Sequence, residues 1–136
     1  MSNEYTWQYT TVGFHLPAPV LRINISNIAD QNLNSSEDFL IDSGSDISFI
    51  RKELFSTLRL GIVDDVEFEV ADTEPGENKI KKRDVTEVKI GIPEINVDGT
   101  IQLAIGERGE TNLLGRDFLD SFEVLLNRGQ DFTIRR

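Results

Sequence analysis

The 136-residue chain reads as a single all-β domain, residues 1–136, with many short strands and one or two short helices. Three observations carry that class. Apolar residues recur mostly with period two, as in Leu21, Ile23 and Ile25 or Val88, Ile90 and Ile92, which marks half-buried strands. Turn-forming clusters such as Pro75-Gly76, Asp98-Gly99 and Arg128-Gly129 separate these runs. Helical patterns are confined to two short stretches. Such a string of short strands folds as a barrel or a sandwich.

In chain order, Leu21 to Ile25 forms a strand, and polar Asn27 to Asp38 reads as a loop. Phe39-Leu40-Ile41 is a short buried strand, Ile47 to Ile50 resumes the extended pattern, and Arg51 to Leu58 suits a short helix. Val66, Phe68 and Val70 make a strand joined to Val88–Ile92 by a long hairpin over Ala71 to Asp84, with Glu74-Pro75-Gly76-Glu77 at its turn. Asp98-Gly99 is expected to turn a further hairpin between Ile95-Asn96-Val97 and Ile101–Ile105. Leu113-Leu114-Gly115 is a strand end. Asp117 to Ser121 is a helical turn or two, with Asp117 suited to its N-terminus. Val124–Leu126 and Phe132–Ile134 pair across Asn127–Gln130, and Trp7 and Tyr9 are expected to join the core.

Composition narrows the chemistry. The chain has no Cys and one His, His15, so thiol catalysis and Cys- or His-built metal sites are excluded, and neither metal nor cofactor is expected. A net charge of -10 repels phosphate backbones and anionic membrane surfaces, so nucleic acid and membrane are not expected partners. Met1 to Thr11 does not read as a signal peptide, and the absence of Cys fits a cytoplasmic location. The basic run Lys79, Lys81, Lys82 and Arg83 reads as a solvated hairpin strand. Carboxylates, hydroxyls and backbone groups remain to do any chemistry.

Phe39-Leu40-Ile41-Asp42-Ser43-Gly44-Ser45-Asp46 is the most informative stretch. An apolar strand delivers an acid into a Ser-Gly turn, where Gly44 lets the chain fold tightly beside it. Backbone N–H groups and the hydroxyls of Ser43 and Ser45 can then hold the carboxylate. Alone, the triplet is a surface turn in most proteins. A second segment, Asn112-Leu113-Leu114-Gly115-Arg116-Asp117-Phe118-Leu119, runs an apolar pair into Gly and a helical pattern.

Together the segments resemble the retropepsin-like aspartic proteases, which carry a D-T/S-G-A/S motif after a hydrophobic strand and an apolar-apolar-Gly-Arg motif before a short C-terminal helix. The matches are Asp42-Ser43-Gly44-Ser45 and Leu113-Leu114-Gly115-Arg116-Asp117, and the resemblance spans roughly Val20 to Ile134. It implies a closed, barrel-like acid-protease fold with a flap hairpin. Asp42 would be the catalytic aspartate. Ser43 would bond across a dimer axis, Gly44 would lie beside substrate, and the Ser45 hydroxyl would bond the catalytic carboxylate. Asp46 would bind substrate backbone and pair with Arg116, with Gly115 and Arg116 as structural support. Thr73, Glu74 and Gly76 of the flap would touch substrate, and an acidic flap with Asp72, Glu74 and Glu77 would favour neutral or basic peptides.

Aspartic proteolysis needs two carboxylates sharing one proton, and this chain holds one Asp-Ser-Gly triplet. The resemblance therefore implies an endopeptidase acting on peptide or protein substrates as a symmetric homodimer, with Asp42 from each subunit. The Ser43 loops and the terminal strands around Phe132 to Ile134 are its expected interface. A catalytically inactive, peptide-binding or scaffolding dimer is the alternative. Metal and phosphoryl-transfer readings fare worse. The Asp42 loop lacks the ligand spacing of an EF-hand. In Asn96-Val97-Asp98-Gly99-Thr100, Asn stands where haloacid-dehalogenase-like phosphatases need their nucleophilic Asp.

Overall fold

A computed structural model of the chain describes residues 3–69, 74–76 and 80–136. Its strands are β1 (Glu4–Gln8), β2 (Val20–Ser26), β3 (Asn34–Ile41), β4 (Phe49–Ile50), β5 (Asp64–Glu69), β6 (Ile80–Ile92), β7 (Val97–Ile105), β8 (Leu113–Leu114), β9 (Glu123–Asn127) and β10 (Asp131–Arg135). Two short helices, α1 (Lys52–Thr57) and α2 (Arg116–Leu119), complete the set with a 3-10 turn at Pro93–Ile95. Seven strands form one sheet in the order β2-β3-β8-β4-β7-β6-β5. Because β2 also pairs with β6, Asn24 opposite Gly91 and Ser26 opposite Lys89, six of them close into a barrel and β5 stays outside.

The alternation read from the sequence fills this barrel. Leu21, Ile23 and Ile25 of β2 point inward and are all but fully buried, as are Phe39, Ile92 and Leu103 from facing strands. Each such side chain contributes roughly 1.5–3 kcal/mol by leaving water. A second sheet, β1-β10-β9, lies against the core. Its Phe132 is sealed by Trp7, stacked at 5.4 Å, and by Tyr9 edge-on at 6.1 Å, so both aromatics pack with the core as expected. Phe132 and Ile134 are wholly buried within the chain itself. The exposed apolar side chains of this sheet lie instead on its edge strands, Leu125 and Leu126 on β9 and Tyr5 on β1.

Two elements differ from the sequence expectation. The stretch Asn34 to Asp38 is strand, not loop. Its inward positions carry Ser35 and Glu37 in place of apolar residues, and Glu37 is held by a forked bond from Arg51 at 2.6 and 3.0 Å and by the Ser35 hydroxyl at 3.1 Å. Its outward side chains bond across to β2, Asp38 to Arg22 and Ser36 to Asn24. Asp98-Gly99 is mid-strand in β7, not a turn, with Gly99 opposite Ile90. The reversal comes earlier, where Pro93 opens the 3-10 turn and Asn96 closes it in the left-handed region at φ 55°.

Strand β6 serves two structures. From Val85 to Ile92 it pairs throughout with β7, and over Lys89 to Gly91 it also pairs with β2. From Ile80 to Asp84 it pairs only with β5, Glu69 opposite Ile80 and Asp65 opposite Asp84, so the two strands leave the barrel as a hairpin arm. Pro75-Gly76 forms a turn at its tip, with Gly76 at φ +90°.

Candidate active site

Strand β3 ends by burying Phe39 and Ile41, and the next residue, Asp42, emerges half-buried at the barrel rim. Its backbone N–H donates to the Leu114 carbonyl at 2.9 Å, which fixes the strand end beside β8. The chain then folds back on the carboxylate. Gly44 N–H donates to Asp42 Oδ1 at 2.9 Å, and Ser45 N–H donates to the Asp42 carbonyl at 3.2 Å. A Cβ at Gly44 would lie 3.2 Å from Asp42 Oδ1, so glycine leaves room for the carboxylate. Ser43 and Gly44 are exposed at the loop crest.

Helix α2 clamps this loop from below. Arg116 N–H donates to the Ser45 carbonyl at 2.8 Å and Asp117 N–H to the Asp46 carbonyl at 3.2 Å. The Arg116 guanidinium forms an ion pair with Asp46, both side chains mostly exposed. Gly115 lets the segments touch: a Cβ there would sit 2.6 Å from the Ile47 carbonyl oxygen and 2.7 Å from that of Ser45. Asp42, Ser43, Gly44, Ser45, Asp46, Gly115 and Arg116 are thus one assembly. Glu74 and Gly76 are exposed at the arm's tip, and Thr73, Asp72 and Glu77 lie outside the described residues.

Ser45 differs from its expected role. Its hydroxyl donates to the Ile47 carbonyl at 2.8 Å, so its single proton is not available to Asp42; a backbone N–H, from Gly44, donates to the carboxylate instead. Ser45→Ala should therefore leave a cleavage pH profile unmoved while costing about 0.5–1.5 kcal/mol of stability, read by denaturant unfolding. A shifted pH optimum would show that the hydroxyl reaches Asp42.

Sequence reading missed two supporting residues. Buried Ser48 donates its hydroxyl to Asp117 Oδ1 at 2.5 Å and accepts from Gly115 N–H at 2.9 Å, while its own N–H donates to Asp117 Oδ2 at 3.1 Å. Asp117 therefore ties α2 to the strand after the loop rather than capping its own helix. Asn112, also buried, accepts from Arg51 N–H at 2.8 Å and donates to the Asp38 carbonyl at 3.2 Å. The available signal was a polar residue inside the apolar run Ile47-Ser48-Phe49-Ile50, since a buried hydroxyl needs a partner.

The arm folds back toward this rim. Phe68 of β5 meets Phe49 of β4 edge-on with ring centroids 5.3 Å apart. Together with Leu113, Thr111, Lys81, Arg83, Glu107 and Glu110 they line a groove of about 570 Å³. Leu113 adjoins Leu114, whose carbonyl receives the Asp42 N–H, so the groove borders the strand end that carries the acid. Register sorts the arm's charges. Phe68 lies opposite Lys81 and Val66 opposite Arg83, on one face, leaving Asp65, Glu67, Glu69 and Lys82 on the other. The groove wall contributed by the arm is therefore apolar and basic. Of the basic run, Lys82 is solvated as expected, Lys81 and Arg83 face the groove, and Lys79 lies outside the described residues.

No protein-family model matches the chain, and no curated protein matches it by sequence. Among solved structures it is similar to a retropepsin-like aspartic protease from Rickettsia conorii, with a TM-score of 0.60 and 17% identity over 96% of this chain and 89% of that one. A protease of EIAV solved with the inhibitor HBY-793 aligns at a TM-score of 0.47 and 18% identity, over 76% of this chain and 86% of that one. The match to the Rickettsia structure, on a closed barrel with a projecting hairpin and two short helices, shows that the fold is retropepsin-like.

Proposed function

We propose that this chain is one half of an aspartic endopeptidase whose active site forms when two copies bring their Asp42 loops together. The observation that carries this reading is the Asp42 carboxylate itself, half-buried at the end of a buried strand and held by the Gly44 N–H within a retropepsin-like fold. Two such carboxylates side by side cannot both ionise readily, so they share one proton. The ionised member takes a proton from a water, which attacks the scissile carbonyl. The protonated member donates to the carbonyl oxygen. Collapse of the tetrahedral intermediate then breaks the C–N bond as a proton reaches the leaving nitrogen.

The dimer supplies what one chain lacks. The exposed crest Ser43-Gly44 would meet its copy across a two-fold axis. The unpaired edge of β9, bearing Leu125 and Leu126 and neither Lys nor Pro, offers a strand for further pairing. Phe132 and Ile134 would support that interface from inside the core rather than touch the partner. On this reading the arm closes over an extended peptide and excludes water.

Peptide cleavage and sedimentation measured on the same samples test the shared site. Specific activity should fall on dilution in step with loss of dimer. A sample that sediments as monomer and retains full specific activity would overturn it.

A further inference from the structure

We infer that Lys81, on the arm's wall of the groove beside Asp42, selects substrates that carry an acidic residue two positions from a large apolar one. This rests on the protease reading above and specifies the peptide it acts on. The groove's floor is Phe49, Phe68 and Leu113, an apolar surface suited to a large side chain. Four charged groups line it: Lys81, Arg83, Glu107 and Glu110.

Three of the four are already engaged with one another. Arg83 Nη2 lies 2.8 Å from Glu107 and 3.9 Å from Glu110, and the guanidinium stacks over the Phe68 ring at 5.6 Å. Glu110 also accepts the Glu107 N–H at 2.8 Å. The Lys81 ammonium has no ion pair or hydrogen bond among the described residues, although the residue is half-buried against this wall. An apolar surface with an unanswered ammonium is complementary to a carboxylate accompanying an apolar side chain.

Spacing follows from the backbone of an extended substrate. Its side chains alternate, so residues i and i+2 share a face about 7 Å apart. With the apolar side chain on the Phe49–Phe68–Leu113 floor, the carboxylate facing Lys81 belongs to its i±2 neighbour.

A peptide library that varies the positions two residues from a fixed large apolar residue tests this, with wild type, Lys81→Gln and Lys81→Glu. Wild type should prefer Asp or Glu over Lys or Arg there by about three- to tenfold in kcat/KM, the scale of a partly exposed charge pair. Lys81→Gln should level the preference, and Lys81→Glu should invert it, each read as the ratio of kcat/KM between acidic and basic library members within one protein. Cleavage with the same preference in all three proteins would overturn the role of Lys81 and leave the protease reading intact. Absence of cleavage by wild-type dimer on every library member would instead overturn the protease reading, and this inference with it.

Discussion

Asp42→Asn should lower peptide cleavage by about 10²–10⁴-fold or more, the range for removing a group that moves protons in the transition state. The asparagine is close in shape, and its Oδ1 can still accept the Gly44 N–H that Asp42 accepts at 2.9 Å. The strand end stays tied through the main-chain bond to Leu114, which does not depend on the side chain. Unfolding midpoint and sedimentation should therefore match wild type, so the loss reports chemistry and not misfolding. Mixing sharpens the test. If each site uses one Asp42 from each chain, an excess of the Asp42→Asn variant should suppress wild-type activity through mixed dimers as subunits exchange. Cleavage that survives Asp42→Asn would refute the mechanism.

Gly115→Ala should be the most damaging single-methyl change near the site. The new carbon would stand 2.6–2.8 Å from the Ile47 and Ser45 backbone, distances that real Cβ atoms essentially never show. A main-chain carbonyl cannot swing aside as a side-chain tip can. Relief requires α2 to move off the loop, which lengthens the Arg116–Ser45 and Asp117–Asp46 backbone bonds and strains the Ser48–Asp117 linkage. Overpacking of this kind costs about 1–3 kcal/mol, and more where backbone must shift. Chemical denaturation should register that loss, and activity should fall further than the unfolded fraction explains, because the displaced loop carries Asp42. Unchanged stability and activity would show that α2 does not hold the loop.

The parts of this molecule legible in sequence are those decided over a few residues. Leu21, Ile23 and Ile25 announce β2 because each side chain's burial is set by the strand's own period. The Asp42 loop is equally local: strand, acid, hydroxyl and glycine all lie within reach of one turn. Elsewhere distant partners decide. The first half of β3 was hidden because Glu37 occupies an inward position, tolerated only where Arg51 reaches it. The hairpin assigned to Asp98-Gly99 failed because a favourable turn pair was outcompeted by Pro93 and Asn96 a few residues earlier. Ser48 and Asp117 meet across about half of the chain, and nothing in either neighbourhood specifies the other. The sign of the groove wall hung on register alone, since a slip of one residue would turn Lys81 and Arg83 outward.

The continuity of β6 gives this architecture a mechanical property. Along Val85–Ile92 the strand is gripped on its β7 edge and, near its end, on its β2 edge, whereas along Ile80–Asp84 it is the second ply of a two-ply ribbon. Such a ribbon twists and flexes far more readily than a sheet with neighbours on both sides. The arm is therefore a cantilever: the sheet grips its base, and beyond that base it rests on the rim through the Phe68–Phe49 contact and the Arg83 ion pairs with Glu107 and Glu110.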